Sequence, residues 1–299
     1  MHRDERFNRA ERIIRIGLCL NAVLMVVKLS AGYWGQSDAV FADGIESGCD
    51  FVAVLMTMLA LRMGRIPYDA SHPYGHGRAE NLAALLIGMV IVITGVWIMI
   101  DAIQTIVSHS YKAPHLVAVF ATLLTILVKE WLFRITRKTG QDLNSPSLLA
   151  VAADHRKDAL SSIGTLAGVA GAWLGLGIMD PLAAALTALF ILHIGYVTLS
   201  DAAHDLMDGS APPDFLNEVS RLAENVEHVE HVHEIRSRRS GQYVIIDLKL
   251  DMDPLMTVKQ SHAVATQVKR VIFDRYDNVG DVMIHINPHE EEHEDLIRL

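Results

Sequence analysis

Six long apolar segments constrain this chain more than any other feature of its sequence. An α-helix needs about 20 residues to cross the hydrocarbon core of a bilayer. The segments cover residues 13–35, 39–63, 81–106, 115–136, 147–174 and 179–200. Because lipid offers the backbone no hydrogen-bond partner, such segments span as helices. The sequence therefore predicts an α-helical membrane protein with six transmembrane helices.

Basic residues are concentrated on one side of these predicted spans. Four arginines precede the first span and a fifth, Arg15, lies at its start, and more basic residues flank the second-to-third and fourth-to-fifth connections. The opposite loops carry Lys112 as their one basic residue. Cytoplasmic loops are enriched in Lys and Arg. We therefore expect a multi-pass protein of the cell inner membrane with both termini in the cytoplasm.

The remainder of the chain has the composition of a small soluble domain. Apolar spacing predicts a helix over 214–225, strands over 232–237 and 243–251, a helix over 257–273 and a strand over 281–287. We expect a transport domain at 1–208, a cytoplasmic α+β domain at 209–288 and a charged tail at 289–299. The net charge of −9 excludes a basic nucleic-acid-binding surface.

Two pairs of acidic residues lie inside the apolar spans. Glu46 and Asp50 are four residues apart in span two, and Asp154 and Asp158 have the same spacing in span five. Residues i and i+4 share one face of a helix, so each pair presents two carboxylates side by side. Ionised groups at membrane depth are costly and mark ion pathways. If the two helices face each other, the four carboxylates converge on a cation.

Several motifs in one order resemble those of the cation diffusion facilitators, which are metal/proton antiporters. They are ADGIESGCD in span two, HPYGHGRAE in the following loop, NSPSLLAVAADHRKDALSS in span five and LMDGSAP after span six. The resemblance covers nearly the whole chain and points to the manganese/iron-type subgroup, with similarity to iron-associated members found in magnetosome membranes. It implies a homodimer in lipid, six spans and a cytoplasmic ferredoxin-like domain. It also implies a divalent metal ion as substrate and regulator, protons as the exchanged ion, and no prosthetic group or enzymatic activity.

The resemblance assigns the transport site to the two acidic pairs. Asp50 and Asp158 match the family pattern directly, and Glu46 stands where many relatives have His or Asp. Asp154 stands where zinc-transporting relatives have His, so the neighbouring His155 is an alternative fourth ligand.

Ligand type gives an expectation for the ion. Carboxylate oxygens suit harder ions such as Mn²⁺, whereas imidazole suits zinc and copper. An all-carboxylate site therefore favours Mn²⁺ or Fe²⁺. A Zn²⁺ or Cd²⁺ exporter that uses His155 with Glu46, Asp50 and Asp158 is the alternative within the family.

Three further sets of residues match family positions. The cytoplasmic loop has the spacing of a second metal site, and the C-terminal domain has residues near regulatory metal positions at the dimer interface. A charge pair matches one that locks the dimer at the membrane face. The loop residues are Asp69, His72 and His76, and the residues of the C-terminal domain are His233, Asp247, His262 and His285. The charge pair is Arg78 with Asp208. Lys249 and Asn287 stand where some relatives have ligands, so the resemblance does not extend to a complete binuclear centre.

Two other classes of function remain open at this point. A membrane-anchored metal sensor or scaffold would use the C-terminal sites without transport. A membrane enzyme would need a nucleophile next to a base, and the polar residues within the spans do not supply such a pair.

Overall fold

The computed structural model describes residues 3–142 and 146–289, with side chains described from Arg12 onward except at positions 146, 147 and 150. Six long helices come first. They are α1 (Arg3–Trp34), α2 (Asp38–Gly64), α3 (Arg78–Val107), α4 (Leu116–Asp142), α5 (Pro146–Trp173) and α6 (Met179–Leu206). By length and hydropathy, α1, α2, α3, α4 and α6 can each cross a membrane.

Helix α5 is as long as the others at 28 residues but is less apolar. Its first half contains Asp154, Arg156, Lys157 and Asp158, which lower its hydropathy. Charged residues on a membrane helix are tolerated where they face protein or water. The predicted helical membrane architecture is confirmed, with α5 as the polar member of the set.

The chain forms two compact units, and the first comprises Met1–Met56 and Leu86–Thr198. Small residues line its helix contacts, because close approach of helices in a membrane gains packing energy. Ala42, Ala184 and Ala188 pack with Ile91 and Ile191. Gly168 on α5 meets Ala183 on α6 so closely that a Cβ at this position would collide with it.

A buried carboxylate fixes the start of α2 in this unit. Asp180, at the beginning of α6, accepts hydrogen bonds from the Ser37 hydroxyl and the Asp38 backbone N–H, both at 2.6 Å. The first N–H groups of a helix lack intrahelical acceptors, and a carboxylate satisfies them well. Asp180 therefore anchors the helix that carries Glu46 and Asp50.

The second unit comprises Thr57–Leu85 and Leu199–Leu299. Its C-terminal part contains α7 (Pro213–Glu224), β1 (His231–Ser240), β2 (Tyr243–Met252), α8 (Val258–Arg275) and β3 (Val279–Pro288). The sheet order is β1-β2-β3, with β1 and β2 antiparallel and β2 and β3 parallel. This confirms the predicted α+β domain and its order of elements. Of the predicted tail, positions 290–299 lie outside the described residues.

The core of this small domain lies between the sheet and the two helices. Ile246, Leu248 and Leu250 alternate along β2 and are buried against Val219 of α7 and Val268 of α8. Alternation with period two directs one face of a strand to the core. The charged residues between them therefore lie on the opposite face of the sheet.

The α2–α3 loop packs against the β1–β2 turn within the second unit. The Gly241 N–H donates to Asn81 Oδ1 at 3.1 Å. Gly77 touches Ser240 so closely that a side chain at position 77 would not fit. Arg238 lies 5.5 Å from the centre of the Tyr74 ring. These contacts fix the conformation of the loop that carries the predicted second metal site.

Candidate metal-transport site

Three carboxylates share one face of α2, because Asp43, Glu46 and Asp50 follow each other at intervals of three and four residues. Glu46 Oε2 is buried and has no hydrogen-bond partner among the described residues. The charges of Asp43, Asp50 and Asp158 all act on Glu46. A buried polar atom without a partner is costly, which makes Glu46 a candidate ligand for an ion.

Asp158 of α5 faces this acidic surface and pairs with a lysine. The charge of Asp158 acts on Asp50. Lys129 Nζ of α4 lies 2.6 Å from Asp158 Oδ2, and its side chain is 5% exposed compared with 29% for Asp158. Asp50 is exposed. Asp50 and Asp158, two of the predicted ligands, are therefore accessible from the surface of the protein.

A second buried lysine neutralises the remaining carboxylate. Lys28 of α1 donates to Asp43 Oδ1 and to Ser47 Oγ, both at 3.0 Å. Ser162 of α5 donates to Asp43 Oδ2 at 3.2 Å. Lys28 is 1% exposed, and its amine is directed to Asp43 inside the protein rather than to the surface.

The first half of α5 separates its two candidate fourth ligands. Asp154 is exposed, whereas His155 is 5% exposed. The His155 ring lies against Gly17 of α1, where a Cβ would be 3.4 Å from Nε2. The structure thus turns His155 towards α1, and Asp154 lies on a different face of α5.

The intramembrane ligands are not gathered at coordination distance. Among the described residues, the three ligand-type groups whose atoms lie within 4.8 Å of one another are Asp69, His72 and His76. The structure therefore brings the predicted loop residues together. The charges of Glu46, Asp50 and Asp158 act on one another, but these three carboxylates do not form a closed metal cage.

Local hydrogen bonds arrange the loop residues. Asp69 Oδ1 accepts from the Ser71 N–H at 2.8 Å, the Ser71 hydroxyl at 2.7 Å and the His72 N–H at 2.6 Å. Asp69 Oδ1 lies 3.5 Å from His72 Nδ1, and Asp69 Oδ2 lies 3.6 Å from His76 Nε2. The three side chains thus face a common point in solvent, where two imidazoles and a carboxylate suit a transition metal.

The charge of Asp69 is secured by these bonds. The Ser71 hydroxyl and the His72 backbone N–H lower the pKa of Asp69 to about 2, because both stabilise the ionised form. The carboxylate is therefore available as a metal ligand throughout the physiological pH range.

The four predicted residues of the C-terminal domain are not brought together within one chain. His233 Nδ1 lies 3.8 Å from Asp251, and Asp247 pairs with Arg238 at 3.4 Å. His285 is paired in the sheet with Lys249 on the neighbouring strand. His262 is exposed on α8. Within the described part of the chain they form no cluster of three ligands.

The predicted charge pair does form within one chain. Arg78, at the start of α3, donates to Asp208 just after α6. Asp208 has a positive φ of 60°. Asp and Asn adopt this conformation more readily than other non-glycine residues.

Sequence reasoning missed two features of the site, namely the Lys129–Asp158 pair and the closed Lys28–Asp43–Ser162 cluster. A signal for the first was present, because an ionisable residue within an apolar span marks a functional position. Its partner is far away in sequence, so the pair itself depends on how α4 packs on α5.

Three features together define an ion transporter of the membrane. They are helices long and apolar enough to cross a membrane, interior acids balanced by lysines, and a small α+β domain. Residues 14–207 match the cation efflux transmembrane domain, and residues 211–289 match the cation efflux protein cytoplasmic domain. The chain therefore belongs to the cation efflux family and is a multi-pass membrane transporter of metal cations. The predicted family membership is confirmed.

Individual relatives match over nearly the full chain. The manganese efflux system protein MneP of Bacillus subtilis is 33% identical over 97% of this chain and 99% of its own length. The magnetosome protein MamB of Magnetospirillum gryphiswaldense is 30% identical over 93% of this chain and 94% of its own length. A solved nickel form of a MamM C-terminal domain variant matches 26% of this chain and 100% of its own, with 24% identity and a TM-score of 0.26.

Proposed function

We propose that this protein exports Mn²⁺ or Fe²⁺ in exchange for protons, through a site formed by Glu46, Asp50 and Asp158 between α2 and α5. Asp154 supplies the fourth carboxylate when the ion is bound, with His155 as the alternative. The divalent ion is the transported substrate. The C-terminal domain binds the same class of ion as a regulator, through His233, Asp247, His262 and His285 contributed by two copies of the chain.

One observation carries this proposal. Within the described part of the chain, Glu46 has a buried carboxylate oxygen without a hydrogen-bond partner, and the charges of Asp50 on the same face and Asp158 on α5 act on it. Lys28 and Lys129 balance Asp43 and Asp158, and the further negative charge of Glu46 and Asp50 at membrane depth needs a cation or protons to balance it. The relative MneP is a manganese efflux system protein, which supports a divalent transition metal as that cation.

Ligand chemistry supports Mn²⁺ or Fe²⁺ over Zn²⁺. The side chains that face one another across α2 and α5 supply carboxylate oxygens, which suit harder ions. His155, the nitrogen ligand of the zinc alternative, lies against Gly17 of α1. Zinc binding through His155 requires this ring to leave α1.

Proton exchange follows from the charge of the same residues. Like charges at close range favour protonation of at least one of the carboxylates. A divalent ion arriving from the cytoplasm displaces these protons, and protons arriving from the opposite side release the ion. Alternating access to the two sides of the membrane then gives antiport without nucleotide hydrolysis.

We further propose a homodimer in the inner membrane with both termini in the cytoplasm. The arginines at the N-terminal end of α1 and the basic residues around the α2–α3 and α4–α5 connections support this orientation. The Arg78–Asp208 pair joins the start of α3 to the segment after α6, and its proposed role is to stabilise the dimer at the membrane face. Replacing Asp208 by Ala is expected to weaken the dimer, measured as a smaller fraction of dimer relative to monomer in native mass spectrometry. An unchanged dimer and unchanged transport would contradict that role.

The test of transport is ion flux into proteoliposomes with an imposed pH gradient, for Mn²⁺, Fe²⁺ and Zn²⁺ separately. We expect gradient-driven flux with Mn²⁺ or Fe²⁺ ahead of Zn²⁺, lost in Asp158→Ala. A ranking with Zn²⁺ first would favour the Zn²⁺/Cd²⁺ exporter. Absence of flux for every ion, with metal still bound by the full-length protein, would favour the membrane-anchored sensor or scaffold.

A further inference from the structure

Lys129 occupies an unusual position for a lysine. The buried residues of α4 include Ala121, Thr122, Thr125, Lys129 and Leu132, so Lys129 lies in the middle of the packed face of this helix. It is 4% exposed. A lysine near a membrane surface extends its amine towards water, whereas this one directs its amine to a carboxylate of α5.

The two buried lysines of the spans are bound in different ways. The Lys28–Asp43 pair is closed, because both residues are buried and Ser47 and Ser162 supply further hydrogen bonds. The Lys129–Asp158 pair joins a buried amine to a carboxylate whose side chain is 29% exposed. The first pair has the form of a structural ion pair, and the second remains open to an approaching ion.

The amine of Lys129 and a metal ion compete for the same oxygen atoms. Lys129 Nζ lies 2.6 Å from Asp158 Oδ2, and a transition metal binds a carboxylate oxygen at about 2 Å. Two cations on one carboxylate repel each other strongly where water is scarce. The charge of Lys129 also acts on Asp50, so the competition extends to the ligand on α2.

We propose that Lys129 is a tethered counter-cation of the transport site, which holds Asp158 when no metal ion is bound and withdraws when one binds. This inference rests on the proposed function, namely that Asp158 is a ligand of the transported ion. Lys129 thereby sets the affinity for the ion and favours its release, because the amine replaces the departing ion at Asp158. The flexible four-carbon stem lets the amine move while α4 stays in place.

The test is Mn²⁺ binding to the purified full-length protein, measured by competition with a metal-sensitive dye at fixed pH and ionic strength. Removing the competing charge in Lys129→Met should raise the Mn²⁺ affinity about tenfold, while a purely structural ion pair would give equal or weaker binding. Lys129→Arg keeps the charge and should bind Mn²⁺ like the unmodified protein. Lys129→Gln repeats the test should the Met variant fail to fold, as judged by gel filtration.

A matched control is available on the same two helices. Arg156 of α5 pairs with Glu130 of α4, and Arg156 is exposed. Arg156→Gln therefore removes an α4–α5 ion pair without touching Asp158, and should leave the Mn²⁺ affinity unchanged. Slower Mn²⁺ release from Lys129→Met in stopped-flow chelation is the second expected result.

The outcomes separate this inference from the proposed function. If Asp158→Asn abolishes Mn²⁺ binding at the transport site but neutral residues at position 129 do not tighten it, the counter-cation proposal is overturned and the transport site stands. If Asp158→Asn leaves binding and flux intact, the proposed transport site itself is wrong, and the proposal for Lys129 is overturned with it. The proposal is supported if Lys129→Met or Lys129→Gln binds Mn²⁺ more tightly while the Mn²⁺ affinity of Lys129→Arg and Arg156→Gln is unchanged.

Discussion

The two candidate metal sites of this protein differ in how the charge of their carboxylates is balanced. The loop residues Asp69, His72 and His76 have their ligand atoms within 4.8 Å of one another and lie largely in solvent. The acids of the spans are further apart, and lysines pair with Asp43 and Asp158.

The physical reason for the difference is the surrounding medium. Water screens the charge of the loop ligands, so hydrogen bonds from Ser71 and His72 suffice to arrange Asp69 in advance. Carboxylates at membrane depth repel each other strongly and are costly to leave unbalanced. A site in the spans must therefore carry its own counter-charge until the metal arrives, whereas a site in the loop need not.

The largest effect should come from removing a proposed ligand in the spans. Asp158→Asn removes the carboxylate charge with little change in shape, and Mn²⁺ flux in proteoliposomes should fall by at least about 100-fold. Asp201→Asn changes an exposed acid at the end of α6 and serves as the control with normal flux. If Mn²⁺ flux in Asp158→Asn stays within twofold of normal, Asp158 is not a ligand needed for transport, and the contrast between the site in the spans and the loop site is lost.

The closed lysine cluster should matter for stability rather than for transport. Lys28→Met leaves Asp43 buried without its cation, which is expected to cost about 3–5 kcal/mol of unfolding free energy. The double variant Lys28→Met/Asp43→Asn should recover most of this loss, because no charge then remains unpaired. Thermal unfolding in detergent measures both, with the exposed Lys112→Met as control. Equal instability of the single and double variants would argue against a charge effect.

A smaller effect should identify the fourth ligand on α5. Because His155 faces Gly17 while Asp154 is exposed, Asp154→Asn should weaken Mn²⁺ binding about tenfold and His155→Gln by less. Equilibrium binding of Mn²⁺ and Zn²⁺ to both variants makes the comparison. The reverse order, strongest for Zn²⁺, would indicate that α5 rotates and that the nitrogen ligand is used.

The smallest effect on transport should come from the loop. His72→Ala removes one imidazole from the preassembled loop site, so binding there should weaken about tenfold while Mn²⁺ flux changes less than about threefold. His109, in the α3–α4 connection, offers a control substitution to Ala away from this loop. Should flux fall as far as in Asp158→Asn, the loop would belong to the transport path and the comparison would no longer hold.

Much of the architecture was predictable because it follows from local periodicity. Apolar length predicted the spanning helices, and alternation along residues 243–251 predicted the central strand whose Ile246 and Leu248 are buried. The candidate site was predictable only in part. The spacing of Glu46 and Asp50 places them on one face of α2, but the packing of α5 decides that His155 rather than Asp154 faces α1.

By itself, the sequence determined the helical membrane architecture, the α+β domain and the acidic residues carried by α2 and α5, because these depend on composition and on spacing along single elements. The tertiary structure alone decided which charges meet. Lys28 and Asp43 are 15 residues apart, and Lys129 and Asp158 are 29 apart, and each pair joins two different helices. Such pairing depends on how the helices pack, since the periodicity of one helix specifies a face but not the partner that the face will meet.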